Sequence, residues 1–284
     1  MGEVATAIAI MTGLGLLFAS VLALAYRFLR VEEDPRLEVV EDLLPGNNCG
    51  ACGEPGCAAF AGKLLGGEVQ PGKCTVASAD TLEEIASFLG VDIGGEEKRI
   101  ARLKCAGGSI NARSLCDYQG MGSCRAAVVV DGGVLACNWG CLGLGDCQEV
   151  CTFDAIRMNE QALPVVDPEL CSACNDCVEV CPLDLFVLLP ESHHLFVQCS
   201  SPLSGDNAVA RCTVACDACE RCALDAPPDT VEMVKGLPVV HYDRDLHPTP
   251  EATWRCPTGA IQWVVGKQFE EQDEEEVALR RGYG

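Results

Sequence analysis

The sequence predicts an α+β protein with one N-terminal transmembrane helix, a small helical cysteine-rich domain and two tandem units that share a duplicated cysteine pattern. Three observations carry that prediction. Residues Val4 to Phe28 are almost wholly apolar, with no charge before Arg27. The chain holds 21 Cys, most of them in close groups. Four of those Cys, with a neighbouring strand pattern, recur 75 residues further on.

The apolar run is long enough to span. About 22 residues at ~1.5 Å each cover ~33 Å, the thickness of a bilayer core. A cleaved signal peptide would have a basic start and a shorter apolar stretch. Here Glu3 precedes the run, and Arg27 and Arg30 follow it. Residues 1–28 therefore read as an uncleaved single-pass anchor. The positive-inside rule puts everything after it on the cytoplasmic side of the inner (cytoplasmic) membrane. Residues 29–44 are charged, contain Pro35 and read as a linker. At the other end, residues 267–284 read as a solvated acidic tail with no assigned function.

Composition narrows the chemistry. The net charge is −22 and the pI about 4.4, so no basic stripe exists to meet nucleic acid. An acidic surface steers toward basic partners. A disulfide framework is disfavoured by an odd cysteine count in a chain too long for such scaffolds. Zinc is disfavoured because only four His accompany the Cys, none at knuckle spacing. Close Cys triplets with a distant fourth thiolate instead suit [4Fe–4S] clusters. No glycine-rich dinucleotide fingerprint follows a strand, and no Ser/His/Asp or Cys/His catalytic arrangement is present.

In the expected N-terminal domain, residues 45–92, Cys49, Cys52, Cys57 and Cys74 lie among glycines at 46, 50, 53 and 56. Glycine lets the backbone fold closely round a bulky group and aim N–H groups at its sulfurs. Ala58–Leu65 reads as a helix behind that loop. Thr81 and Glu84 form a capping box for a second helix, whose Leu82, Ile85, Ala86 and Leu89 share a core face. Zinc on the same four Cys stays open as an alternative.

An apolar helix, then Cys-x2-Cys-x4-Cys-x16-Cys, then ferredoxin-type cysteine runs, resembles the B subunit of Rnf electron-transport complexes. The cysteine module alone also resembles that of corrinoid iron–sulfur proteins; its order here points to Rnf. The resemblance implies a redox subunit that exchanges electrons with soluble ferredoxin and with other membrane subunits, in a complex coupling ferredoxin–NAD electron transfer to ion transport.

Cys171, Cys174, Cys177 and Cys181-Pro182 form the bacterial ferredoxin run, whose fourth Cys ligates the other cluster. Cys137, Cys141, Cys147 and Cys151 form a looser version upstream. The expected sets are Cys171, Cys174, Cys177 with Cys151, and Cys137, Cys141, Cys147 with Cys181. Between the runs, Ala155–Met158 and Leu163–Val166 read as a hairpin. Cys137, Cys141, Cys147 and Cys181 recur as Cys212, Cys216, Cys222 and Cys256, and Leu163–Val166 recurs as Leu237–Val240. Cys151, Cys171, Cys174 and Cys177 have become Ala226, Leu246, Thr249 and Ala252. The joint loss of one whole set supports the crossed ligation. A single cluster is then expected on Cys216, Cys219, Cys222 and Cys256, since Cys219 stands where the first copy has Leu144.

The predicted boundaries are a connecting segment at 93–130, a two-cluster ferredoxin-like unit at 131–198 and a degenerate one-cluster unit at 199–266. Four clusters are assigned. Cys105, Cys116, Cys124, Cys199 and Cys212 remain, either as small buried residues or as ligands of a fifth cluster. Trp139 is expected to shield a cluster from water, and His193 and His194 to cap a surface turn. Lys98, Arg99, Arg102 and Lys104 form a local basic patch, a candidate dock for ferredoxin. The rival readings are the iron–sulfur subunit of a membrane hydrogenase or dehydrogenase, and a corrinoid-type methyl-transfer module, which would need a cobamide domain that the pattern does not provide.

Overall fold

A computed structural model describes residues 2–29, 34–95, 97–130, 133–242 and 246–269. Helix α1 (Gly2–Leu29) contains a 21-residue stretch, Ile8–Phe28, with mean hydropathy 2.3 and no part buried against the rest of the chain. Three of its hydroxyls are satisfied within the helix: Thr6, Thr12 and Ser20 each donate to the carbonyl four residues back. In hydrocarbon that matters, because an unpaired polar group is costly there.

The expected linker is a helix. In α2 (Pro35–Leu43), Pro35 takes the first turn, where its missing N–H costs nothing. The Asp34 carboxylate accepts from the Arg36 N–H at 2.9 Å and caps the start. Val40 and Leu44 are buried with Phe60, Ala61 and Leu64 of α3 (Cys57–Leu65) and Ile85 of α4 (Ala79–Leu89). The apolar spacing Leu37, Val40, Leu44 outweighs the flanking charges, so α2 belongs to the N-terminal domain. Helix α4 starts earlier than the Thr81–Glu84 box implied. Ser78 accepts from the Thr81 N–H at 3.2 Å, and this earlier cap adds helical residues. Gly90, left-handed at φ 67°, ends it.

The elements that follow are β1 (Arg99–Leu103), α5 (Gly108–Asn111), α6 (Cys124–Val129), α7 (Asp146–Glu149), β2 (Ile156–Met158), β3 (Pro164–Val166), α8 (Asp176–Val180) and β4 (Phe186–Pro190). After them come β5 (Leu195–Val197), α9 (Gly205–Val209), α10 (Arg221–Asp225), β6 (Val231–Val234), β7 (Leu237–Val240), α11 (Glu251–Trp254) and β8 (Ile261–Trp263). Each unit has an inner hairpin, β2–β3 or β6–β7, and an outer antiparallel pair joining its first and last strands. In the first unit β1 pairs with β4, with Arg99 opposite Pro190 and Leu103 opposite Phe186. In the second, β5 pairs with β8, with Leu195 opposite Trp263.

Both boundaries expected for the units therefore move. The segment 93–130 supplies β1 and so completes the first unit, and β5 opens the second unit before residue 199. The units are tied to each other as well. The Ala106 N–H donates to the Gln198 carbonyl at 3.1 Å, and the Gln198 N–H to Ala260 at 2.7 Å. The Tyr242 hydroxyl accepts from the Leu195 N–H and donates to its carbonyl, while its ring stacks on His193 at 3.6 Å. His193 thus packs on Tyr242 while its N–H closes the surface turn by donating to the Pro190 carbonyl at 3.0 Å.

The expected tail begins too early. Gln268 is only 2 % exposed. Its side chain accepts from the Leu103 N–H and donates to the Leu103 carbonyl, both at 2.9 Å, doing for β1 what a further strand would do. The acidic residues from Glu270 on lie outside the described residues. Gln268→Ala leaves two buried backbone groups unpaired and should lower stability by about 1–3 kcal/mol. The measurement is the denaturant midpoint; an unchanged midpoint would return Gln268 to a solvated tail.

Candidate metal centres

Cysteine-lined cavities sit at the loops ahead of the short helices. One of about 340 Å³ is lined by Cys49, Cys52, Cys57 and Cys74 with Phe60 at its back. The Asn48 side chain holds this loop by accepting from the Cys57 N–H at 2.8 Å. A second, about 330 Å³, is lined by Cys151, Cys171, Cys174 and Cys177. A third, about 290 Å³, is lined by Cys216, Cys219, Cys222 and Cys256. These three quartets are the ones the spacing implies, including the crossed fourth member in each ferredoxin-type run.

The backbone explains why. Ala173 and Asn175 flank Cys174 in the left-handed region, at φ 56° and 79°. Ala218 and Glu220 flank Cys219 the same way, at 59° and 62°. Left-handed Ala and Glu cost energy and persist only where the surroundings fix them. This alternation turns successive Cys side chains and N–H groups inward, and a short helix then starts at Asp176 or Arg221. Gly143 and Gly145 repeat the alternation at 72° and 87° around Leu144. The loop shape survives there without its middle Cys.

Cys124 fills the gap. Its N–H and that of Arg125 donate to the Asp146 carboxylate at 2.8 and 3.2 Å, and the Ser123 hydroxyl donates at 2.9 Å. The Leu144 and Gly145 N–H groups face the Cys124 sulfur. Cys124 and Cys181 lie near Cys147, and Cys141 lies near Cys147 and Cys124. The quartet that the structure brings together is thus Cys124, Cys141, Cys147 and Cys181. Cys137, expected in that set, is turned away; its nearest thiol neighbours are Cys199, Cys105 and Cys212. Cys124 stands 17 residues ahead of Cys141, and no local motif marks it.

The exit turns carry the duplication. Asp154, Asp184 and Gly259 are left-handed three residues after Cys151, Cys181 and Cys256. Asp229 is left-handed three residues after Ala226, so that turn persists where its Cys is gone.

The donor sets fit [4Fe–4S] clusters better than zinc. Among the described residues no three His, Cys, Asp or Glu converge closely enough to hold a single ion. The sulfurs surround a space instead. Burial raises the thiol pKa of Cys147 and Cys216 to about 12 and of Cys222 to about 11, and neighbouring thiolates add repulsion. Four thiolates in such a cavity therefore need the positive charge of bound iron, and binding releases their protons. Asp146 shows the opposite balance: burial alone would raise its pKa, but the hydrogen bonds from Cys124, Ser123 and Arg125 together hold it below the usual value.

Of the expected basic patch only Arg102 is withdrawn; Lys98 and Arg99 stay exposed and Lys104 is half-buried. Arg102 is 2 % exposed, and its guanidinium donates to the Gly266 carbonyl at 2.7 Å. The Arg99 guanidinium donates to the Leu188 carbonyl.

Comparison with known proteins agrees with these centres. The family described as "Putative Fe-S cluster" matches residues 44–76, and that described as "4Fe-4S binding domain" matches residues 164–185. The chain is 36 % identical over 251 residues to the B subunit of the Na(+)-translocating ferredoxin:NAD(+) oxidoreductase complex of Acetobacterium woodii, covering 88 % of this chain and 75 % of that one. It is 35 % identical to the B subunit of the proton-translocating ferredoxin:NAD(+) oxidoreductase complex of Clostridium ljungdahlii, across 98 % and 99 % of the two chains. It is 31 % identical to the B subunit of the ion-translocating oxidoreductase complex of Methanosarcina acetivorans, across 84 % and 90 %.

Asp146→Ala should release Cys124 while sparing the other quartets. The expected result is a loss of about four iron atoms per chain, one cluster. Iron analysis and electron paramagnetic resonance of the reduced protein measure it; full iron content would remove Asp146 from that role.

Proposed function

The chain belongs to the family of B subunits of ion-translocating ferredoxin:NAD(+) oxidoreductase (Rnf) complexes, and from that premise we propose how its centres serve electron transfer. It is an iron–sulfur subunit of a membrane complex. The ligand sets we assign are Cys49/Cys52/Cys57/Cys74, Cys151/Cys171/Cys174/Cys177, Cys124/Cys141/Cys147/Cys181 and Cys216/Cys219/Cys222/Cys256. When bound, such clusters exchange one electron at a time. The carrying observation is that three cavities each gather four cysteines, two of them with the crossed fourth member.

The protein groups do the rest. Backbone N–H groups point at the sulfurs and favour the thiolate; the Leu185 N–H, for example, donates to Cys181 Sγ at 3.4 Å. The Thr75 hydroxyl donates to the Ser172 carbonyl at 2.5 Å. These two residues follow Cys74 and Cys171, so one hydrogen bond joins the walls of two centres. Arg27 lies in the last turn of α1, on the side of the soluble domains, and the positive-inside rule favours a cytoplasmic face for them. Soluble ferredoxin is the proposed electron donor or acceptor there, and ion translocation belongs to partner subunits.

Mixing the purified full chain with reduced ferredoxin under anaerobic conditions should bleach its clusters in stopped flow. The chain alone should not reduce NAD, because a hydride needs a two-electron carrier such as a flavin. Since Arg102 is withdrawn from the basic patch and the net charge is −22, transfer from an acidic ferredoxin should speed up with added salt. Rapid flavin-free NAD reduction, or no bleaching at any salt concentration, would overturn the reading.

A further inference from the structure

A fourth cavity, about 310 Å³ and close in size to the three above, lies between the two units. Cys105, Cys137, Cys199 and Cys212 line it, with Trp139 and Gly107. Cys137 heads the looser run and Cys212 its repeat, while Cys105 and Cys199 belong to no run. Cys105 follows β1, Cys137 and Cys212 are one repeat apart, and Cys199 follows β5. Four segments distant in the chain have brought one thiol each to the same space.

The walls are held firmly. The Arg113 N–H donates to the Arg211 carbonyl at 2.9 Å, the Thr213 N–H to Asn111 at 3.0 Å and the Ala136 N–H to Arg113 at 2.8 Å. The Arg211 guanidinium donates to the Ala136 carbonyl at 2.7 Å. Two N–H groups point at Cys105 Sγ, from Gly107 at 3.5 Å and Cys141 at 3.3 Å. At Gly107 a Cβ would project toward the same space, 3.4 Å from Cys212 Sγ and 3.6 Å from Cys105 Sγ.

We propose that Cys105, Cys137, Cys199 and Cys212 bind a fifth [4Fe–4S] cluster, which links the centre of the second unit to those of the first. The proposal rests on the cluster reading of the other quartets. Each cysteine loses its thiol proton as its sulfur bonds iron, and each electron gained from one neighbouring centre is passed to the other. Its position supplies the link: the Cys141 N–H bonded to Cys105 Sγ belongs to a ligand of the Cys141 centre. On the far side Ala215 lines this cavity and the next residue, Cys216, lines the next. Five quartets use twenty of the 21 cysteines, and the one left, Cys116, is exposed.

The test uses the full chain, loaded with iron and sulfide under anaerobic conditions. Intact protein should hold about 20 iron atoms and Cys199→Ser about four fewer, while Cys116→Ser should match the intact chain. In the reduced Cys199→Ser protein the Cys216 centre should also lose the magnetic broadening of a close neighbour. A check that removes no thiol is Gly107→Ile, which fills the cavity against Cys212 and Cys105 and should cost the same cluster, while retained iron in the other four centres shows that the chain still folds. About 16 iron atoms in the intact chain, unchanged by either variant, would overturn the fifth centre and leave the other four standing. Iron near zero with bound zinc would overturn both readings together.

Discussion

Sulfur takes much of the place that aliphatic side chains fill in an ordinary domain of this size. In the first unit, buried Cys105 and Cys177 pack with Leu103, Leu163, Leu185 and Phe186, and five further Cys adjoin that core. Among the described residues the second unit's core has five buried residues, one of them Cys222. Units this small bury too little apolar surface to be stable unaided. Cluster binding is then part of folding, with ligation energy replacing a larger core. The left-handed Ala173 and Ala218 fit this view, because their strain is tolerable only if ligation holds the loops in shape.

The two units answer the same geometric demand differently. Both keep the alternating left-handed turn, yet the middle position is Cys219 in one and Leu144 in the other. In the ligand set proposed above, Cys124, held by Asp146, supplies the missing sulfur from outside the loop. The counterpart of Cys124 one repeat later is Cys199, which the complete loop leaves free to face the neighbouring cavity.

What the sequence disclosed follows the range of each interaction. The Cys171 run and the joint loss of its counterparts are local patterns, and the structure groups those thiols as the spacing implies. Cys124, Cys105 and Cys199 gave no such signal, since their neighbours in space are supplied by tertiary contacts. Helix α2 was hidden because its charges and Pro35 resemble a linker until Val40 and Leu44 find Phe60 and Ile85. Strand β1 was hidden because Arg102 breaks its apolar pattern; its charge is tolerated inside through the Gly266 carbonyl. Gln268 was counted with the acidic tail because only the fold brings it to Leu103.

The wide spacing of the ligands around the inter-unit cavity bears on how the chain is made. The Cys49 quartet is complete once residue 74 has been synthesised, and the Cys171 quartet once residue 177 has. The cavity between the units must wait for Cys212, which is 107 positions beyond Cys105. Loop closure over that span is slow compared with the short loops before it. Chain order therefore completes the Cys49 set first and the Cys216 set, which waits for Cys256, last, while the joint between the units has the longest span to close.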